Sequence, residues 1–159
     1  GRKFDKEGNL TDWWTADDRA AFMERATVLI EQYNGYSPAQ LDDEHTVNGA
    51  LTVGENIGDL SGVEIALKAY RISVGGDLAD APVIDGLTGT QRFFIGYALT
   101  EQTKRRDEAL ITQINTDPHS PEEFRINGVV RNMDAWYEAF GAQPGDELYL
   151  APEERVSIW

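Results

Sequence analysis

The chain of 159 residues is long enough for one domain with a real core, and it carries 28 acidic against 14 basic side chains, a formal net charge of -14. That negative charge is spread along the chain and argues against a nucleic-acid backbone as partner. With no cysteine there is no disulfide and no thiolate metal site, so any transition-metal ligand must be His, Asp or Glu.

No run approaches the apolar length needed to span a membrane, and the opening GRKFDKEGNL lacks the apolar stretch of a signal peptide. The chain reads as soluble and without internal repeats. Absence of cysteine fits a reducing compartment such as the cytoplasm, but exported bacterial proteins also lack cysteine, so the compartment stays open.

In chain order, DKEGN is a turn signal, followed by Trp13 and Trp14, which are too apolar to lie idle and are expected to pack on a neighbour. Thr15 with Asp18 predicts a capping box, and Phe22, Met23, Ala26, Leu29, Ile30 and Tyr33 recur at helical spacing up to Asn34-Gly35. From Tyr36 to Val53 periodicity is lost, and this stretch reads as a loop. It holds His45 beside the acids Asp42, Asp43 and Glu44. A metal ligand and a plain solvated side chain are both open readings of that histidine.

The stretch from Gly54 to Val74, GENIGDLSGVEIALKAYRISV, predicts a helix ended by Gly75-Gly76. Leu60, Val63, Leu67, Tyr70 and Val74 form its apolar stripe, with Ser61, Glu64, Lys68 and Arg71 on the opposite, solvent-facing side. Glu55 and Asp59 do not join them. These carboxylates lie one turn apart and point together beside the apolar stripe, where charge is unfavourable unless a metal, a histidine or an arginine pairs with it. Gly58 and Gly62 lie next to them and permit close approach by another helix, which offsets a loss of about 1 kcal/mol of helix propensity at each.

Residues 77–87 form a loop whose Asp77, Asp80 and Asp85 do not match the spacing of a calcium-binding loop. Thr88 or Thr90 caps a long helix carrying Phe93, Phe94, Tyr97 and Ala98, with charged residues following in TEQTKRRDEA. Next, NTDPHSPEEFRINGVVRN opens a helix with Ser120 as N-cap and Pro121 at its first position. His119 then stands just before a positive helix end, with Arg125 in the opening turns, a grouping that suits a developing oxyanion. The alternative is that Asp117 simply holds His119 in a rigid loop. A short helix from Asn132 to Phe140 and a punctuated tail follow, and the closing Val-Ser-Ile-Trp predicts a docked C-terminus.

Taken together, GRKFDKEGNLTDWWT, NGALTVGENIGDLSGVEIALKAY, QRFFIGYA, DPHSPEEFRINGVVRN and the closing Trp resemble the C-terminal part of the neprilysin and endothelin-converting enzyme family of zinc metallopeptidases, bacterial oligopeptidase members above all. The resemblance spans nearly the whole chain. It implies a mainly α fold, the helical C-terminal part of a thermolysin-like (zincin) catalytic domain, in a parent that cleaves oligopeptides with one zinc ion. By that resemblance Glu55 is a zinc ligand, and Asp59 accepts a hydrogen bond from a zinc-bound histidine. His119, oriented by Asp117, stabilises the oxyanion, while Arg125 holds a substrate carbonyl.

The family also needs His-Glu-x-x-His, and this chain has only His45 and His119. The sequence therefore looks cut just after that helix, and residues 1–159 alone are expected to be inactive. A non-catalytic acidic helical interaction module descended from such enzymes is the rival. Trp13, Trp14, the Gly58–Gly62 groove and Ile158-Trp159 are expected to lack partners, so that the isolated chain dimerises through them.

Overall fold

A computed structural model describes residues 3–159, in which six α-helices form. They are α1 (Ala16–Asn34), α2 (Gly49–Ser73), α3 (Gly89–Thr100), α4 (Asp107–Thr116), α5 (Glu122–Val130) and α6 (Asp134–Phe140). Among the described residues, β structure is limited to isolated bridges pairing Phe4 with Leu10 and Ile84 with Leu87. The fold is mainly α, as its periodicity implied.

Helix α1 starts and ends where the sequence places it, with one change at its cap. The Thr15 hydroxyl accepts the Asp18 N–H at 3.1 Å, but the Asp18 carboxylate takes the Thr15 hydroxyl proton at 2.7 Å instead of reaching back to the main chain. The result is a side-chain cap without the reciprocal half of a box. Helix α2 begins at Gly49, earlier than the expected Gly54. Asn48 and Gly49 look like a turn and act as a helix start: Asn48 Oδ1 accepts the Leu51 N–H at 3.1 Å, and the Gly49 N–H donates to Asn34 Oδ1 at 2.8 Å. The end of α1 thus fixes the start of α2.

On α2, Leu60 and Val63 are buried, and Lys68 and Arg71 are exposed as expected. Ser61 and Glu64 are half-buried instead of solvent-facing. Ser61 accepts the indole N–H of Trp159 at 3.1 Å, and burial pushes the Glu64 carboxyl up from its usual range.

The long helix expected after Thr88 is two helices. Thr88 and Gln91 form a full capping box on α3, which stops at Thr100. The polar residues 101–106 offer no apolar face to bury, and Arg106 is extended (ψ 152°). Asp107 and Glu108 then favour a new helix N-terminus, and Leu110, Gln113 and Ile114 anchor α4 in the interior. Helix α5 starts at Glu122 with Pro121 at the capping position, because the Ser120 hydroxyl is turned away to Asn56. Helix α6 starts at Asp134, two positions after the expected Asn132, whose side chain accepts the Val156 N–H at 2.8 Å.

Two buried clusters make the core. Leu29, Tyr33, Val47, Phe124, Val156 and Ile158 form one, and Leu60, Val63, Phe94, Val129, Val130 and Met133 form the other. Helix α5 contributes to both and packs on α1, α2 and α3, so it is the spine of the domain. The tail docks as predicted through Val156 and Ile158, but Trp159 itself is 71% exposed.

Candidate functional site

Helix α2 and the loop entering α5 bring the predicted residues together in two adjoining groups. In the first, Glu55 Oε2 lies 3.4 Å from His119 Nε2. His119 Nδ1 meets Asp117 Oδ1 at 2.9 Å, and the same oxygen accepts the His119 main-chain N–H at 2.8 Å. Those two hydrogen bonds hold the Asp117 carboxyl below the usual carboxylate range. With its Nδ1 proton directed at Asp117, the imidazole presents Nε2 to Glu55 and to solvent. All three side chains are about half exposed, so this group is open to solvent.

In the second group Arg125, on α5, makes a two-pronged pair with Asp59 on α2: Nε to Oδ2 at 2.8 Å and Nη2 to Oδ1 at 2.7 Å. Its Nη1 lies 3.5 Å from Glu101 Oε2, just past the end of α3. The Asp59 hydrogen bonds hold the guanidinium above its ordinary value. Tyr97 donates its hydroxyl proton to the Arg125 carbonyl at 2.6 Å, and burial, followed by the Asp59 charge, raises its phenol well beyond the normal range. This pair answers the question posed by Asp59: its counter-charge within the described residues is an arginine. A carboxylate has about four lone-pair sites and a guanidinium has five N–H donors, so both partners keep capacity for a further hydrogen bond.

Glu55 has no comparable partner. The exposed face on which it sits continues through Gly58 and Gly62, where an added Cβ would meet nothing within 4 Å, and on to Ile65 and Ile72. His45 pairs with Asp42 in its own loop, Nδ1 to Oδ1 at 2.6 Å. No group of three or more His, Asp or Glu able to hold a metal ion occurs among the described residues. A catalytic zinc typically takes three protein ligands, so the described residues do not supply a complete set.

Sequence reasoning missed Tyr97, Glu101, Asn56 and Ser120 as parts of the site. Tyr97 reads as one more aromatic on an apolar face, and nothing in the spacing points to Glu101. Asn56 did leave a signal. With Thr52 it extends the stripe of Leu60 and Val63 by helical steps, and polar residues on a buried stripe require hydrogen-bond partners.

The profile of peptidase family M13 matches residues 1–156. Human membrane metallo-endopeptidase-like 1 is 41% identical over the full chain, and the neutral endopeptidase of Lactobacillus helveticus is 36% identical. The chain spans only about a fifth of those relatives, 20% and 22% of their lengths. The open-state structure of the zinc metalloprotease Zmp1 of Mycobacterium tuberculosis superposes with a TM-score of 0.91 at 54% identity, covering 100% of this chain and 25% of that one. Its helices are therefore those of a helical part of the catalytic domain of such enzymes, and the chain belongs to peptidase family M13.

Proposed function

We propose that residues 1–159 are the C-terminal portion of the catalytic domain of a zinc metalloendopeptidase that hydrolyses oligopeptides. The observation that carries this is the convergence of Glu55 and His119 across 3.4 Å, beside the Asp59–Arg125 pair. Glu55 would supply one oxygen ligand to zinc, with two histidines coming from polypeptide outside residues 1–159. When bound, zinc supplies Lewis acidity and activates water for attack on the peptide carbonyl.

The chain's own residues have separable roles. Asp117 accepts the Nδ1 proton of His119 and fixes the ring, and in the imidazolium form Nε2–H is a donor aimed at the oxyanion that develops on the scissile carbonyl. Arg125, held in plane by Asp59, presents its remaining donors to a substrate main-chain carbonyl. Asp59 retains lone pairs to accept an N–H from a zinc-bound histidine, which would set that ligand's tautomer. The open Gly58–Gly62 face is where the helix bearing such histidines would pack. The rival reading, a non-catalytic interaction module, draws on the incomplete ligand set and on the apolar exposure of Ile65 and Ile72. Under the peptidase reading, self-association of the isolated chain would use Trp13, Trp14, the Gly58–Gly62 face and the Ile158-Trp159 end.

Zinc titration by calorimetry tests the reading in two proteins. The 159-residue chain should show neither tight stoichiometric zinc binding nor peptidase activity, and either result overturns the incomplete-site proposal. In the full-length protein, Glu55→Gln should abolish zinc retention and activity with the circular dichroism spectrum unchanged; an unaffected enzyme removes Glu55 as a ligand.

A further inference from the structure

The contact between Glu55 and His119 does not hold itself in place. Both side chains are half exposed, and 3.4 Å is long for a charge-assisted hydrogen bond. The next residue along on each side makes a much better bond. Ser120 follows His119, Asn56 follows Glu55, and the Ser120 hydroxyl donates to Asn56 Oδ1 at 2.7 Å with the two residues only 0% and 1% exposed.

The bond has a defined direction. Asn56 Nδ2 donates to Thr52 Oγ1 at 3.0 Å, one turn back on α2, and the Thr52 hydroxyl donates on to Asn48 O at 3.2 Å. With its amide nitrogen engaged there, Asn56 can offer only its carbonyl oxygen to the loop, and a hydroxyl is the group that fits. The Ser120 carbonyl in turn faces Gln113 Nε2 of α4 at 3.5 Å. The loop carrying His119 is therefore tied to α2 at one residue's remove from the reacting groups, inside the protein where water does not compete. Ser120 gives up helix capping for this bond, since α5 begins with no side-chain cap.

We infer that Asn56 and Ser120 are positioning residues for the proposed peptidase reaction: their buried hydrogen bond sets His119 against Glu55 and so aims the imidazole at the oxyanion. This rests on the reading of His119 given above. Neither residue touches substrate, and each acts through its neighbour.

A double-mutant cycle in the full-length enzyme tests it, with kcat and KM on an oligopeptide measured for Ser120→Ala, His119→Ala and the pair. Ser120→Ala should lower kcat by between ~10-fold and ~100-fold, the range for a supporting group or an ångström-scale misplacement. KM should stay within about twofold, and zinc content by atomic absorption should match the parent. In the His119→Ala background the same change should cost less than about a further twofold in kcat, because no imidazole remains to be misplaced. Multiplicative losses across the cycle, or an unchanged kcat in Ser120→Ala, overturn the inference. A purely structural role would act equally in both backgrounds. If Ser120→Ala does not fold, the isosteric Thr52→Val loosens Asn56 from one step further away and should show a milder kcat loss with the same non-additivity; a multiplicative loss there is equally fatal. If His119→Ala alone leaves kcat intact, the oxyanion reading fails first and the positioning role falls with it.

Discussion

Arg125 illustrates how one side chain is fixed by several elements at once. Its guanidinium is paired to Asp59 on α2 through two short bonds, flanked by Glu101 at the end of α3, and its main-chain carbonyl is held by Tyr97. A planar fork is required for the two-pronged contact, so Arg125→Lys should not substitute for it. Asp59→Asn leaves a mostly buried cation without its main partner. Discounted for the remaining solvent exposure of the pair, it should lower stability by about 1–3 kcal/mol, read as a lower urea midpoint at unchanged slope. A midpoint equal to that of the parent would show that Glu101 alone neutralises Arg125. The sequence marks Asp59 as a charge needing a partner. It leaves three kinds of partner open, and the choice of Arg125 depends on α5 lying across α2, which no local pattern encodes.

At the scale of an element, α2 carries glycines with opposite duties. A Cβ on Gly49 would clash with the Ile30 main-chain oxygen and lie 2.9 Å from Asn34 Oδ1, so this glycine lets α2 start directly against the end of α1. Helix propensity alone favours alanine there, but overpacking against main chain outweighs it, and Gly49→Ala should destabilise by roughly 1–3 kcal/mol. Gly58 faces open space in the 159-residue chain, so Gly58→Ala should stabilise that chain by up to about 1 kcal/mol. Thermal melts of the two variants should shift in opposite directions, and equal shifts would mean that the α1–α2 contact is softer than it looks. The periodicity of α2 was legible over its length, but its start was not. Asn48-Gly49 has the composition of a turn, and only the bond from Gly49 to Asn34 on α1 makes it a helix N-terminus.

Over the whole molecule, an apolar groove of about 910 Å³ lies between the N-terminal segment, α1 and the tail. Trp13 stands edge-on to Trp14, which stands edge-on to Phe22, with Trp159 6.2 Å beyond Phe22. The tryptophans therefore do pack on neighbours, yet Trp13 and Trp159 remain 59% and 71% exposed. Ile158, expected at this surface, is only 3% exposed and belongs to the core instead. Pairing of two copies through the groove would bring together two chains each of net charge -14, so salt should strengthen it by screening the repulsion. Light scattering of the isolated chain should show a dimer fraction that rises with concentration and with sodium chloride. A strict monomer under both removes self-association.

Residues 1–159 by themselves determined the helical class, the apolar stripes of α1, α2 and α3, the turn at Gly75-Gly76 and the family, because each is written in local spacing or in motifs with a fixed order; the share of both cores that comes from α5 was not marked. They also marked Asp59 as a charge in need of a partner, whereas Glu55, expected beside the apolar stripe, sits on an exposed face. The tertiary structure decided which groups meet: Asp59 with Arg125, Glu55 with His119, and Ser120 with Asn56 rather than with its own helix. It also divided the segment after Thr88 into α3 and α4. The physical reason is the same in each case. Hydrogen bonds and ion pairs between residues more than sixty positions apart depend on how helices cross, and a crossing is fixed by the packing of whole faces, not by the residues that finally touch.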